Sequence, residues 1–366
     1  MVNTLFLTLK TFSFTGGIEK ASRSLIFALQ QHESIKLSTF SMYDITRDAD
    51  GRYLAKSRFK GFGGKRFLFL YAVMVKALTT DRVILSHINL LLFGKLIKTL
   101  KPSAKIILWA HGIEVWREIP AWKKKFLQKH GEIWAVSNYT KQQMMARHQI
   151  GEQNIKVLHN TLDPFFKLPQ QFQKPQALLN KYELKPDSFV LFTLTRLSAT
   201  EHLKNYDLVI QAVKALVTEF PQIVYLIGGK ADAAEHQRLT QIIKAADLDE
   251  NIKLIGFIEE TEIEEHYLLA DCFVLPSKKE GFGIVLIEAA ACGCQVIGGN
   301  VDGSTDALLN GELGQMVNPD SKEEIIHAIK TAIKNKSTHF PEKQQNLAIE
   351  NFGFEKYVEK VSRLIA

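Results

Sequence analysis

A chain of 366 residues, 46% hydrophobic and 23% charged, holds enough material for two globular domains with cores of their own. It has no apolar run of about 18 residues to span a membrane, and its opening MVNTLFLTLK lacks the basic, apolar, small-residue order of a signal peptide, so a soluble cytoplasmic protein is expected. The net charge of +7 conceals a split, because residues 1–165 carry 25 Lys and Arg against 11 Asp and Glu, whereas residues 166–366 carry 21 against 28.

In chain order, a strand is predicted over 2–8 and an amphipathic helix over 18–32, with Thr15, Gly16 and Gly17 in the loop between them. A double glycine ahead of a helix lets an anion or a sugar approach backbone amides, and it is equally an ordinary flexible loop. A second strand is predicted over 37–41, and 44–64 reads as a polar loop. Within that loop Asp48-Ala49-Asp50 has the spacing of a metal-binding Asp-x-Asp, but Arg47, Gly51 and Arg52 surround it and no apolar strand presents it. Basic residues mix with aromatic ones over 57–78 and 120–130, a combination suited to a lipid headgroup layer. Peripheral attachment to an anionic membrane is therefore expected, with Lys123, Lys124 and Lys125 as the charge and Trp116, Trp122 and Phe126 entering the headgroups. Nucleic acid is not expected as a partner, since no helix-turn-helix, zinc or aromatic sheet signature accompanies the basic half.

Strands over 82–86, 106–110 and 132–136 alternate with helical stretches, as a parallel sheet with crossovers requires, so the first half reads as Rossmann-like. His111-Gly112 and Ser137-Asn138 follow two of these strands, where open α/β sheets bind ligands, although a lone histidine at a strand end is often structural. Residues 164–187, with Pro164, Pro169, Pro175 and Pro186, read as a linker with a short helix. Beyond a strand over 189–194 stand Arg196 and, after an irregular polar loop, Lys204. Two cations converging there would neutralise a diphosphate, and either one alone is an ordinary surface residue. Gly228 and Gly229 end a strand over 223–227, and Phe257 and Ile258 follow another over 252–255, offering close approach for a nucleotide and an apolar contact for its base.

The most informative stretch is 277–299, SKKEGFGIVLIEAAACGCQVIGG, in which Glu280 and Glu288 stand eight positions apart around a Gly281-Phe282-Gly283 turn. A strand over 272–275 ends at Pro276, and a helix over 284–291 is closed by Gly293. Amides near Phe282 and Gly283, with the partial positive charge of the helix start, suit a phosphate. Glu288 would then accept from the diol of a ribose and Glu280 from the hydroxyls of whatever the phosphate carries. Singly, each is an ordinary helix-start or solvated residue, but a carboxylate inside IVLIEAAA requires a partner. Cys272, Cys292 and Cys294 read as packing residues, being too few for a disulfide framework and without zinc-site spacing.

This stretch resembles the Glu-x7-Glu motif of the family 4 retaining glycosyltransferases, EGFGxxxLEAxAxGxPVI, with Gln295 where the family usually has proline. The resemblance implies an α/β GT-B fold, two Rossmann-like domains facing across a cleft. Residues 1–168 would bind the acceptor and 169–350 the donor, with 351–366 a C-terminal helix, predicted over 354–365, that crosses back to the first domain. It implies metal-independent transfer of a sugar, with retention, from a UDP- or GDP-linked donor to a glycan or lipid-linked acceptor in bacterial surface polysaccharide or lipopolysaccharide synthesis, with no cofactor besides the donor substrate. On the same footing His111, Arg196, Lys204 and Glu280 form the catalytic set, and Gly16, Gly17, Gly228, Phe257, Ile258, Gly281, Phe282, Gly283 and Glu288 hold the donor. His159-Asn160-Thr161-Leu162-Asp163 resembles the family's Asn-Gly-Val-Asp segment with Thr161 in place of the glycine, Thr195 replaces the glycine of Gly-Arg-Leu, and Asp306 stands near a family Glu. Two other readings share the architecture: a nucleotide-sugar binding protein without turnover, and a nucleotide-sugar epimerase or hydrolase. Formation of a glycosylated product separates them.

Overall fold

The computed structural model describes residues 1–198 and 202–365. The chain forms two compact units, Met1–Phe166 with Phe352–Ala366, and Lys167–Asn351.

The first unit is built on a sheet of seven strands, β1 (Val2–Thr8), β2 (Ile35–Ser41), β3 (Phe59–Gly61), β4 (Arg82–Leu85), β5 (Lys105–Ala110), β6 (Gly131–Ala135) and β7 (Ile155–Val157). All pairs are parallel in the order β3-β2-β1-β4-β5-β6-β7. The second unit holds β8 (Phe189–Leu194), β9 (Ile223–Gly228), β10 (Ile252–Gly256), β11 (Cys272–Leu275), β12 (Gln295–Gly299) and β13 (Gln315–Val317), again all parallel, in the order β10-β9-β8-β11-β12-β13. Helices cover sheets of this kind on both faces, which is why β11 reads as an unbroken apolar run and why β4 and β11 are buried at every position. Each sheet reverses its winding once, between β1 and β4 in the first unit and between β8 and β11 in the second. The carboxyl ends at those reversals are where open sheets of this class take their ligands.

Predicted and observed elements part company at the sheet edges. The expected polar loop 44–64 contains the edge strand β3, and neither the three-residue strands β7 and β13 nor the helices Lys322–Lys334 and Pro341–Phe352 were anticipated. Three residues are too few to display a period of two, and an edge strand with one neighbour needs little apolar content to pair. Asp44, at the head of that expected loop, is fully buried. Its carboxylate accepts from the amides of Thr11 and Ser13 at 2.7 and 3.1 Å and from the hydroxyls of Ser13 and Ser41 at 2.5 and 2.7 Å.

The final helix, Phe354–Ile365, belongs to the first unit and lies on the helix Gly17–Gln30. The Phe27 and Phe354 rings stand 5.4 Å apart, and Arg82 Nη2 donates to the Ile365 carbonyl at 2.6 Å. Among the described residues no helix is long and apolar enough to cross a membrane.

The two basic, aromatic stretches fold differently. In the helix Ala121–His130 Lys125 and Lys129 are exposed and Lys123 and Lys124 half-buried, but Phe126 is buried, Trp122 is packed partly into the core, and Trp116, just ahead of the helix, is buried as well. The expectation that these rings enter a headgroup layer is thereby corrected, since their apolar surface already serves the first unit's interior. The helix Arg66–Ala77 instead buries only Phe69, Val73 and Ala77 and leaves a second set of large apolar side chains exposed.

One glycine at the reversal of the second sheet is dictated by geometry. Gly229 has φ +138, and a Cβ there would run into the Thr195 carbonyl at the end of β8. Gly229→Ala is expected to destabilise the protein by more than about 1 kcal/mol, because both the left-handed backbone and the close approach must be relieved. A denaturant midpoint equal to wild type would show that the segment relaxes at no cost.

Candidate functional site

The second unit brings its chemistry together at the carboxyl ends of β8, β11 and β12. The 3-10 turn His202–Lys204 follows β8, and the backbone beyond it is left-handed at Asn205, φ +58, a conformation that asparagine tolerates better than most residues. Asn205 is buried and donates from Nδ2 to the carbonyls of Pro276 and Pro319 at 2.9 and 2.7 Å. The Lys278 amide and the Ser277 hydroxyl donate to the Leu203 carbonyl at 2.8 and 3.3 Å, so the loops after β8 and β11 are laced at Leu203 as well as at Asn205. That lacing delivers Lys204 Nζ to the Glu280 carboxylate, where the two form an ion pair with both side chains largely withdrawn from solvent.

Glu280 is held from its other side by a residue that sequence reasoning passed over. The Glu280 amide donates to Asp302 Oδ2 at 2.5 Å, the Ser304 amide to Asp302 Oδ1 at 2.9 Å, and the Gly303 amide to the Glu280 carbonyl at 2.9 Å. A Cβ at Gly303 would strike the Gly281 carbonyl, so this backbone-on-backbone fit also requires glycine. Asp302 is fully buried, and burial, with the Glu280 charge nearby, pushes its pKa up to about 6. The available signal was Asp-Gly-Ser directly after a strand, an arrangement in which Asp accepts the amide two residues on.

The remaining donor-side residues divide by exposure. Gly283, φ +93, turns the chain into the helix Ile284–Ala291, while Gly281 is partly exposed and Phe282 buries its ring, leaving only the Phe282 backbone to meet a ligand. Glu288 is completely buried, and the Tyr267 hydroxyl donates to its Oε2 at 3.1 Å. The partner that an apolar helix demands for this carboxylate thus comes at least in part from within the unit. Gly228 packs between Phe192 and Ile258, and Ile258 is itself buried, so both serve the core at this point. Phe257 is exposed and lines a concavity of about 260 Å³ with Leu197, Gly229, Lys230, His236 and Gly256. Arg196 is exposed just past β8, and part of the irregular loop expected between it and Lys204, residues 199–201, lies outside the described residues.

In the first unit, His111 follows β5 and Gly112, φ 141, opens the short helix Ile113–Trp116. The His111 amide donates to Glu114 Oε1 at 2.6 Å, and its ring lies 4.4 Å from that of Trp109. Burial, with a smaller contribution from His87, lowers the His111 pKa to about 3, so the imidazole is neutral at physiological pH. Among the described residues its Nε2 is buried without a hydrogen-bond partner. Gly16 caps the helix Gly17–Gln30 with extended backbone, and the preceding residues Thr11 and Ser13 are the ones held by Asp44. The Asp48-Ala49-Asp50 carboxylates are spent locally: Asp48 accepts the Ile45 amide at 2.9 Å and Asp50 pairs with Arg52 at 2.7 Å.

Residues 176–351, nearly the whole of the second unit, match the family model for glycosyl transferases group 1. D-inositol 3-phosphate glycosyltransferase 2 of Catenulispora acidiphila is 30% identical over 141 residues, which is 37% of this chain and 32% of that one. The serotype-specific mannosyltransferase WbdA of Escherichia coli is 25% identical over 219 residues, 59% of this chain and 26% of that one. The chain spans about half or less of the length of the first curated relatives it matches. In fold it resembles the Anabaena protein Alr3699/HepE, solved in complex with UDP, with a TM-score of 0.80 at 18% identity over 100% of this chain and 99% of that one.

The raised pKa of Asp302 has a consequence for stability. Its unfolded value lies near about 3.9, so between about pH 4 and pH 6 the folded protein holds a proton that the unfolded chain does not. The contribution of Asp302 is therefore greatest below about pH 4 and is lost as pH rises through about 6. Asp302→Asn cannot titrate, and the stability of wild type relative to this variant is expected to fall by up to about 3 kcal/mol from pH 4 to pH 7. Parallel stability curves for the two proteins would show that the carboxyl does not titrate in that window.

Proposed function

We propose that this protein is a retaining, metal-independent glycosyltransferase of family 4, which moves a sugar from a UDP- or GDP-linked donor to a glycan or lipid-linked acceptor. The observation that carries this reading is the Lys204–Glu280 pair at the reversal of a parallel sheet, inside a unit that matches the glycosyl transferases group 1 model. In the free protein each member of the pair compensates the other. An arriving diphosphate offers Lys204 two negative charges in place of one, and release of Glu280 gives the sugar hydroxyls a carboxylate acceptor. Arg196 joins Lys204 on the diphosphate, and together they stabilise the charge that grows there as the anomeric carbon–oxygen bond breaks and its electron pair leaves with the phosphate. Those two cations do the work that a divalent ion does in other transferases.

Gly281, Gly283 and the Phe282 backbone bring the start of the helix Ile284–Ala291 to the phosphates, and Phe257 covers the base in the concavity it lines. Glu288 receives the ribose hydroxyls, with the Tyr267 hydroxyl sharing the carboxylate. Gly228 and Ile258 act behind Phe257 as packing that sets its position. On the first unit, Gly16 and Gly17 present backbone to a ligand, and His111 acts as a neutral hydrogen-bonding group, since its lowered pKa leaves little imidazolium at pH 7. The likeness to WbdA, named as a mannosyltransferase, supports polysaccharide assembly as the setting, and the excess of cations over 1–165 supports work at the inner face of an anionic membrane.

The reading is tested by supplying UDP- and GDP-sugars with a lipid-linked acceptor and following glycosylated product with and without EDTA. Product that is insensitive to EDTA is expected. Donor consumed with no product glycan would favour the hydrolase reading, and loss of activity in EDTA restored by manganese would overturn the role given to the cations. Lys204→Ala is expected to lower turnover by about a hundredfold or more, the scale of removing one charge-stabilising group, and to lower the melting temperature as well, because it leaves the Glu280 carboxylate uncompensated. Glu288→Gln separates two roles: a donor Kd raised about ten- to 150-fold, for a loss of about 1.5–3 kcal/mol, supports the ribose contact. A lowered melting temperature with unchanged Kd would assign Glu288 wholly to the fold.

A further inference from the structure

The helix Arg66–Ala77 carries two apolar stripes where a surface helix needs one. Phe69, Val73 and Ala77, four residues apart, face inward and are fully buried, and Phe69 meets Phe62 and Phe93 edge-on at 5.1 and 5.0 Å. Rotated away from them, Phe67, Tyr71 and Val75 repeat the same spacing on the outside, with Leu78 three residues on, just past the helix, and Leu68 beside them. Phe67 is 90% exposed and Tyr71 69%, while Leu78, Val75 and Leu68 all stand in solvent as well. Single exposed apolar residues are ordinary, but a continuous stripe on one helix face marks a surface made to be covered.

The charge around the stripe identifies what covers it. Residues 51–80 contain seven Lys and Arg and no Asp or Glu. Lys56, Arg58 and Lys60 are exposed on the turn and edge strand that precede the helix, and Lys65 and Arg66 are exposed at its start. A protein partner would bring acceptors of both kinds to such a surface. A layer of anionic headgroups over hydrocarbon matches an aromatic and aliphatic stripe that cations precede and flank, with Asp81 beyond its far end already paired with Lys101.

We propose that the outer face of the helix Arg66–Ala77 is the surface by which this protein docks on an anionic lipid bilayer. Phe67, Tyr71 and Val75 enter the headgroup layer, and Lys65 and Arg66 lie against lipid phosphates. The proposal rests on the membrane setting inferred above and replaces the helix Ala121–His130 as its contact, since the rings of that helix are turned inward.

The test is co-sedimentation of the full chain with phosphatidylcholine vesicles made with and without phosphatidylglycerol, at low and high salt. Four proteins are compared: wild type, Phe67→Ser with Tyr71→Ser, Lys65→Glu with Arg66→Glu, and Lys123→Glu with Lys124→Glu and Lys125→Glu. Gel filtration with light scattering and a melting curve accompany each. The proposal expects wild type to bind only the phosphatidylglycerol vesicles, at least tenfold weaker binding for both variants of the Arg66–Ala77 helix at unchanged melting temperature, and little change for the triple variant. Wild-type binding that both helix variants retain would overturn the proposal while leaving the membrane setting intact. Failure of wild type to bind any vesicle would overturn the setting itself. A wild-type dimer that Phe67→Ser with Tyr71→Ser turns into a monomer would show that a second copy of the chain covers the stripe instead.

Discussion

The ion pair between Lys204 and Glu280 is the constraint on which the second unit's chemistry depends. Drawing a lysine and a carboxylate out of solvent is unfavourable for each alone, and the geometry must be fixed from outside before mutual attraction offsets the cost. Here it is fixed by backbone. Asn205 ties the Lys204 loop to Pro276 and Pro319, and Asp302 with Gly303 grips Glu280 through its amide and carbonyl. These anchors fix the two loops, so that only the rotamers of the two side chains decide whether the pair is closed. Such a pair opens without disturbing the loops that carry it, so a ligand that competes for Lys204 finds Glu280 already in place.

Legibility in the sequence followed the range of the forces involved. The strand, turn and helix around 272–291 could be read because every feature is local: four buried apolar residues, a proline stop, two glycines and an apolar helix. Strand β8 and the last helix were legible for the same reason. Asp302 and Asn205 were not, since what makes them important is a partner 22 residues away in one case and 71 and 114 in the other. Nothing within a window of a dozen residues distinguishes Asp302 from a turn aspartate. Glu288 shows the intermediate case, where the apolar run correctly required a partner for the carboxylate but the identity of Tyr267, on a different helix, lay outside the local pattern.

The first unit repeats the same division. The run ending at Ala110 placed His111 at a strand end from sequence alone, but its neutral state follows from burial against Trp109 and beside His87, which only the assembled sheet supplies. Asp44 reads as the head of a polar loop because it stands in Tyr43-Asp44-Ile45-Thr46, a segment without periodicity. Once β1 and β2 pair in register from Val2 and Ile35 to Thr8 and Ser41, the chain beyond β1 has free amides at Thr11 and Ser13 with a buried carboxylate directly across. An ionised acceptor satisfying that many donors rigidifies a loop that composition alone marks as flexible, and this loop leads into Gly16 and Gly17.

Composition drew attention to two basic, aromatic stretches, but periodicity is what distinguishes them. In the helix Ala121–His130 the large apolar side chains Phe126 and Leu127 are adjacent, fall on one face, and are consumed by the core. In the helix Arg66–Ala77 they recur at four-residue spacing on two faces, starting at Phe67 and at Phe69, and a helix on the surface of a sheet can bury only one of them. The surplus stripe has no use in holding the first unit together, because Phe69, Val73 and Ala77 already anchor the helix. Its side chains remain in water at a cost in solubility that the nearby cations, seven in thirty residues of which Arg52 alone pairs with Asp50, partly offset by repulsion between copies. The same cations that keep such a surface from meeting itself draw it toward a surface of opposite sign.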